Sequence, residues 1–117
     1  MSGRLGESQL LTLISAGLHK RGNELAHVLR PLRFIKRKDR FLPYASDCGS
    51  LLHHAAYLRN EEALDLLVNH YGLNPNLATV KGNTVAMVAL SVDPHALLRA
   101  RLPKHHLKRK HGLDVRL

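Results

Sequence analysis

The side chain with the widest chemical range in this chain is histidine, of which the 117 residues include nine. Neutral imidazole binds transition metals and serves as a general base near neutral pH. His105, His106 and His111 lie close together, but no Cys or carboxylate ligand stands beside them at zinc-site spacing. The sequence therefore predicts no metal site and no cofactor.

Covalent catalysis would need a nucleophile beside a base. Cys48 with His53 or His54 is the one such pair close in sequence, but both histidines lie where the chain turns into a helix. The carboxylates within 61–65 fall on the opening turns of another helix, where the helix dipole favours negative charge. No glycine-rich phosphate-binding loop is present. We therefore predict that the protein is not an enzyme and has no catalytic residues.

The elements that position these residues follow from the spacing of apolar side chains. Residues 49–76 read as helix, turn, helix and extended loop. Ala55 and Ala56 are small enough to let a neighbouring helix approach closely, and apolar residues within 63–68 recur at helical spacing. Gly72 can take the left-handed conformation that ends a helix. His54 is expected on the exposed side of the first helix.

This segment resembles an ankyrin repeat, whose pattern runs G-x-T-P-L-H-x-A-A, a variable pair, G-H-x-E, three hydrophobic residues and a closing G-A-D-x-N. The resemblance implies a scaffold for protein binding, and it implies that His53 is structural, with its imidazole bonded to local backbone and hydroxyl groups. Arg59-Asn60 replaces the usual Gly-His. The matching positions are Ser50, Leu51, Leu52, His53, Ala55, Ala56, Glu62, Leu66, Leu67, Val68, Gly72, Asn74 and Asn76.

One such unit cannot bury its own apolar face, so copies should flank it. Thr84 follows Ser50 by 34 residues, close to the family period of about 33, and Gly82 opens this second copy. Upstream, a helical hairpin is expected to shorten or kink at Pro31. The predicted fold is all-α: a short α-solenoid of about three ankyrin-like helix-turn-helix repeats. The residues given structural roles are Ser50, His53, Ala55, Ala56, Gly72, Gly82 and Thr84.

The predicted organisation is one repeat domain over residues 1–103, followed by a basic tail over 104–117. The domain divides into a capping hairpin (about 6–32), a basic connector (33–47), the clear repeat (48–81) and a degenerate terminal repeat (82–103).

Charge is unevenly distributed along the chain, whose formal net charge is +9. Residues 1–40 carry 9 Lys/Arg against 3 Asp/Glu, residues 41–98 carry 2 against 5, and residues 99–117 carry 7 against 1. The repeat core is therefore mildly acidic between two basic ends. Either the connector is a solvated loop, or it is a recognition loop whose basic residues supply charge and whose aromatic residues anchor a partner. Candidate partner-binding residues are Arg33, Lys36, Arg37, Lys38, Arg40, Phe41, Tyr44, Tyr57 and Arg59.

The C-terminal tail allows three interpretations. The first is a solubilising tail. The second is a basic patch for nuclear localisation or phosphate contact, and the third is a terminal helix over 105–111 that covers the last repeat. Its basic residues are Lys104, Lys108, Arg109 and Lys110.

The sequence favours a non-enzymatic interaction module, an inhibitor, adaptor or small subunit that masks or bridges another protein, as a monomer or small oligomer. The alternative is a basic protein that binds nucleic acid or an acidic membrane through the connector and tail. No apolar run reaches the length of about 20 residues that spans a bilayer, and no signal peptide is recognisable. The single Cys48 allows no internal disulfide. We expect an intracellular protein, cytoplasmic or nuclear.

Overall fold

The computed structural model describes residues 6–94, which contain five α-helices and a small β-hairpin. Along the chain, two helices precede the hairpin and three short helices follow it. In chain order the elements are α1 (Glu7–Ala16), α2 (Gly22–Leu29), a 3₁₀ turn (Arg30–Phe34), β1 (Leu42–Tyr44), β2 (Asp47–Gly49), α3 (Leu51–Tyr57), α4 (Glu61–Asp65), a π-helical segment (Leu66–His70) and α5 (Val85–Val92).

The first two helices form a hairpin that buries leucines from both helices, including Leu11 and Leu25. The α1 helix begins at Glu7, and the Gln9 side chain accepts a hydrogen bond from the Gly6 N–H at 2.9 Å. The α2 helix ends just before Pro31, as the sequence predicts, because proline has no N–H to continue the α-helical ladder. The chain continues there as the 3₁₀ turn.

The prediction of an all-α solenoid of about three repeats is wrong. Residues 42–49 form a two-stranded antiparallel sheet, with Leu42 opposite Gly49 and Tyr44 opposite Asp47. The described residues are thus a mixed globule of helices and a hairpin. The physical reason is that the part of the chain expected to be a connector has an apolar anchor in Leu42, which is 7% exposed and packs in the core. Once Leu42 is buried, strand pairing satisfies the backbone beside it.

The central element is α3, which contacts α1, α4 and α5. Its buried alanines, Ala55 and Ala56, leave room for these neighbours, and leucines from each side complete the core. The alanines that were expected to face a neighbouring helix are therefore buried, but in a globule and not in a solenoid. Gly72 ends the π-helical segment with φ +74°, a conformation that costs a residue with a Cβ more than it costs glycine.

Asn60 joins the first helical hairpin to the second. Its side-chain oxygen accepts a hydrogen bond from the Ala63 N–H at 3.2 Å and so caps α4. Its amide nitrogen donates to the carbonyls of Leu18 at 2.6 Å and Lys20 at 2.9 Å, in the loop that follows α1. The residue is 1% exposed, so water does not replace these bonds if the side chain is lost.

We predict that Asn60→Ala lowers the free energy of unfolding by about 2–4 kcal/mol, because it removes a helix cap and leaves buried carbonyls without a donor. Equilibrium urea unfolding measures the change. Asn69→Ala is the matched control: Asn69 is exposed and its side chain donates to Asp65 in an exposed hydrogen bond, so a loss within about 0.5 kcal/mol is expected. Equal losses in the two variants would contradict this role of Asn60.

Candidate functional site

His53 fastens the start of α3 to a later loop. Its Nδ1 accepts a hydrogen bond from the Ser50 N–H at 3.0 Å, so in the neutral ring the proton sits on Nε2. Nε2 then donates to the Leu77 carbonyl at 2.9 Å. A Cβ on Gly49 would lie 2.9 Å from the ring, so glycine makes room for the imidazole there. Both ring nitrogens are committed to structure.

His54, expected on the exposed side of α3, is instead 4% exposed. Its Nε2 donates to the Leu42 carbonyl at 3.1 Å, and its Nδ1 lies 2.8 Å from the Ser15 hydroxyl, which donates to it. Burial lowers the pKa of His54, and burial likewise lowers that of His53, because the imidazolium form would lose its hydration. His54 thereby binds the β-hairpin to α3 and α3 to α1.

Asp47 ties the hairpin to the loop that precedes α5. Its carboxylate accepts hydrogen bonds from the Thr79 hydroxyl at 2.5 Å and from the Lys81 N–H at 3.1 Å. Loss of hydration on its own would raise the pKa of Asp47. Hydrogen bonds to the carboxylate have the larger effect and hold its pKa below the ordinary value; the donors are the side chains of Thr79 and Asn83 and the N–H groups of Cys48 and Lys81. The Val80 N–H also donates to the Cys48 carbonyl at 3.0 Å.

These ties hold open a groove of about 190 Å³ between the hairpin, the loop and the helices α3 and α5. Tyr44 stands in it between the rings of His54 and Tyr57, with centroid distances of 4.8 and 5.4 Å. Tyr57 is 44% exposed and Met87 49% exposed. The residues that line the groove are Tyr44, Ala45, Ser46, Asp47, Tyr57, Lys81, Asn83, Met87, Val88 and Ser91.

Two of the predicted partner-binding residues, Tyr44 and Tyr57, therefore come together in this groove. Arg59 follows α3 with φ +60°, and its guanidinium lies 3.7 Å from an Asp93 carboxylate oxygen at the end of α5. Phe41 lies elsewhere, with its ring edge-on to His53 at 6.1 Å. The groove thus combines exposed aromatic and thioether surface with a polar edge.

The basic connector residues lie in other places. Arg33 and Lys38 line a separate cavity together with His70, and Lys36 lines a second one. Arg40 donates to the Ser8 hydroxyl on α1 at 2.5 Å, and Arg37 is exposed. The structure therefore does not gather the predicted contact residues on one surface: Tyr44 and Tyr57 line the groove, Arg33 and Lys38 line the basic cavity, and the others lie elsewhere.

The residues given structural roles lie within or beside the repeat-like segments. Ser50 precedes α3, and Thr84 caps α5 by accepting a hydrogen bond from the Met87 N–H at 3.2 Å. Gly82 has φ +86° in the turn before α5. The tail residues Lys104, Lys108, Arg109 and Lys110, and the terminal repeat after Pro94, lie outside the described residues.

Sequence reasoning missed eight of the ten residues that line the groove, among them Lys81, Asn83, Met87 and Ser91. A signal for them was available in the spacing of 34 residues that separates Ser50 from Thr84. The same offset pairs Asp47 with Lys81 and Tyr57 with Ser91, and all four line the groove. Met87 lies 34 residues after His53 and so takes the matching position in the second copy. His53 is buried, whereas Met87 is exposed and lines the groove.

No protein-family model, curated protein or solved structure matches this chain. The resemblance to ankyrin repeats accordingly rests on the residues quoted above. Within residues 6–94, no three His, Cys, Asp or Glu side chains are grouped to hold a metal ion. In the same part of the chain, every helix is too short or too polar to cross a bilayer.

The buried histidines predict a loss of stability in mild acid. Because the folded-state pKa values of His53 and His54 are lowered, the unfolded chain binds more protons once the pH falls below about 6.5, the ordinary histidine pKa. The free energy of unfolding should be level above that pH and should fall between about pH 6.5 and 5. Urea unfolding across this range measures the slope.

His54→Gln removes one titrating ring but keeps an N–H donor for the Leu42 carbonyl, so this variant should show a shallower slope than the wild type. Ser15→Ala is the control: it removes the hydroxyl partner and leaves the ring, so its slope should match the wild type even if its stability is lower. An unchanged slope in His54→Gln would contradict the proposed cause.

Asp47→Ala should release the loop before α5 without unfolding the helices. The Lys81 amide loses its acceptor, so its hydrogen exchange should approach that of an unprotected amide. Amide exchange followed by NMR reports this residue by residue. Asp39→Ala, which removes an exposed carboxylate of the connector, should leave the Lys81 rate unchanged. Lowering the pH through the depressed pKa of Asp47, below its ordinary value of 3.8, should reproduce the release in the wild type.

Proposed function

We propose that the protein is a non-enzymatic interaction module that binds another protein in the groove between the hairpin and helices α3 and α5. The observation that carries the proposal is the exposure of Tyr57 and Met87 on opposite helices of one groove. Tyrosine and methionine are enriched at protein interfaces because they offer large contact area with an apolar body.

The size of the groove favours a protein side chain as its occupant. Small-molecule sites have volumes of about 300–1,000 Å³, and this groove has about 190 Å³. An anchor residue of a partner would lie between Tyr57 and Met87 and exclude water from them. Lys81, Asn83 and Ser46 would then form the polar rim that surrounds such anchors in stable complexes.

The groove is also suited to binding because its walls are fixed before a partner arrives. Hydrogen bonds of Asp47 and His53 hold the loop, and those of His54 hold the hairpin. Binding to a preformed surface avoids part of the entropy cost of ordering loops on association. A module that acts by masking or bridging a partner protein is consistent with these features.

We predict that Tyr57→Ala combined with Met87→Ala abolishes retention of the partner. The test is affinity purification with the immobilised chain from cells of its source, followed by quantitative mass spectrometry. The wild type should retain a true partner, and the double variant should reduce its retention at least about tenfold, since each central anchor residue of an interface contributes more than about 1 kcal/mol.

The matched control is Leu58→Ala, which removes an apolar side chain of similar exposure beside Tyr57 and outside the groove. It should retain the partner. Retention that is equal in all three proteins, or that collapses between low and physiological salt, would overturn the proposal and favour electrostatic binding to nucleic acid or acidic membrane.

A further inference from the structure

The described part of the chain carries another concave surface, at the end of the π-helical segment, and it shares no lining residue with the groove. It is a cavity of about 490 Å³ lined by Arg33, Lys38, His70 and Tyr71. The first two residues come from the connector and the last two from the end of the second helical hairpin. Folding therefore brings together four donor-bearing side chains that no motif unites.

Within the described part of the chain, no salt bridge joins Arg33 or Lys38 to a carboxylate, although Lys38 also lines the neighbouring cavity that contains Asp39. Among residues 6–94, the recorded ion pairs are Lys20 with Glu24 and Arg59 with Asp93, and neither involves the cavity. Two positive charges that share a concave surface repel each other, and an anion between them would relieve that repulsion.

Two of the four side chains are held in place by contacts of their own. The Lys38 ammonium donates to the Ile35 carbonyl at 2.7 Å, which fixes its position and leaves further N–H donors. The ring of His70 packs edge-on against that of Tyr71 at 4.6 Å. Arg33 is exposed, with its guanidinium 5.6 Å from the centre of the Phe34 ring.

We propose that this cavity binds a phosphate monoester through Arg33, Lys38 and His70. A phosphate monoester carries a charge of about −1.5 to −2 at neutral pH and three acceptor oxygens, which suit donors arriving from several directions. A carboxylate offers two oxygens and one charge. The guanidinium fork and the lysine point charge are the usual pair for phosphate recognition.

The arrangement of the other cations argues for one terminal phosphate and against a nucleic-acid backbone, which needs a continuous basic track. Arg40 turns to Ser8 on α1, and the neighbouring cavity that Lys36 lines also contains the Asp39 carboxylate. The volume of the cavity that Arg33, Lys38 and His70 line is within the range of small-molecule sites. Both a free phosphorylated metabolite and a phosphorylated protein side chain would supply the same group.

The test is a titration of the full chain, followed by NMR amide shifts at a fixed ionic strength of about 0.15 M. The probes are inorganic phosphate, glycerol phosphate and a phosphoserine peptide with its unphosphorylated twin. We expect saturable shifts centred on residues 33–38 and 70–73, with no response to the unphosphorylated peptide. A tighter Kd for the phosphopeptide than for glycerol phosphate would assign the source to a phosphoprotein, and the reverse would assign it to a small molecule.

Arg33→Gln should weaken binding about tenfold because it removes the guanidinium charge, and His70→Ala should do the same because it removes a donor to phosphate. Arg37→Gln is the matched control: it removes an equal charge from an exposed arginine of the same connector that lines neither cavity, and it should change the Kd less than about twofold. None of these variants alters the groove, so failure here leaves the protein-binding proposal intact.

Three results would overturn the phosphate site. The first is that no phosphate probe causes saturable shifts. The second is that Arg37→Gln weakens phosphate binding as much as Arg33→Gln does. The third is that a single-stranded RNA oligonucleotide binds far more tightly than the phosphate probes and is not displaced by glycerol phosphate.

Discussion

Two adjacent imidazoles at the start of α3 hold the two non-helical parts of this molecule in place. His53 donates to the Leu77 carbonyl and His54 to the Leu42 carbonyl, so neighbouring residues reach in opposite directions along the chain. Both rings are buried, where an unpaired donor or acceptor costs about 1–3 kcal/mol. The hairpin and the loop before α5 therefore cannot shift relative to α3 without breaking a buried hydrogen bond.

Two concave surfaces of the described residues differ in chemistry, and the histidine bonds fix the walls of the first. On one, Asp47 completes the attachment of the loop, and a groove with exposed Tyr57 and Met87 lies between fixed walls. On the other, the connector brings Arg33 and Lys38 to the end of the π-helical segment beside His70. The first surface offers contact area and the second offers charge. The two surfaces share no lining residue, so a partner protein and a phosphate group need not compete for the same side chains.

The helices were predictable because their signals are local. Apolar spacing marks both helices of the 51–70 region, Pro31 marks the end of α2 and Gly72 has the positive φ that ends a helix. The hairpin was not predicted, because it depends on Leu42 packing against residues distant in sequence. It also depends on the hydrogen bond from the buried His54 ring to the Leu42 carbonyl. A histidine in a helix carries no sign of which side it faces when its partners, Ser15 and Leu42, lie 39 and 12 residues away. Most of the groove residues were missed for a similar reason, since Met87 and Lys81 become neighbours of Tyr57 only after folding.

The central claim is that a protein partner docks between α3 and α5, and mapping amide chemical shifts on the labelled chain in complex with its purified partner tests it most directly. The account predicts the largest shifts in residues 44–47, 57 and 81–91, with His53 and His54 retaining their hydrogen bonds. Shifts that cluster instead at residues 33–38 and 70–73, with the groove unchanged, would contradict it.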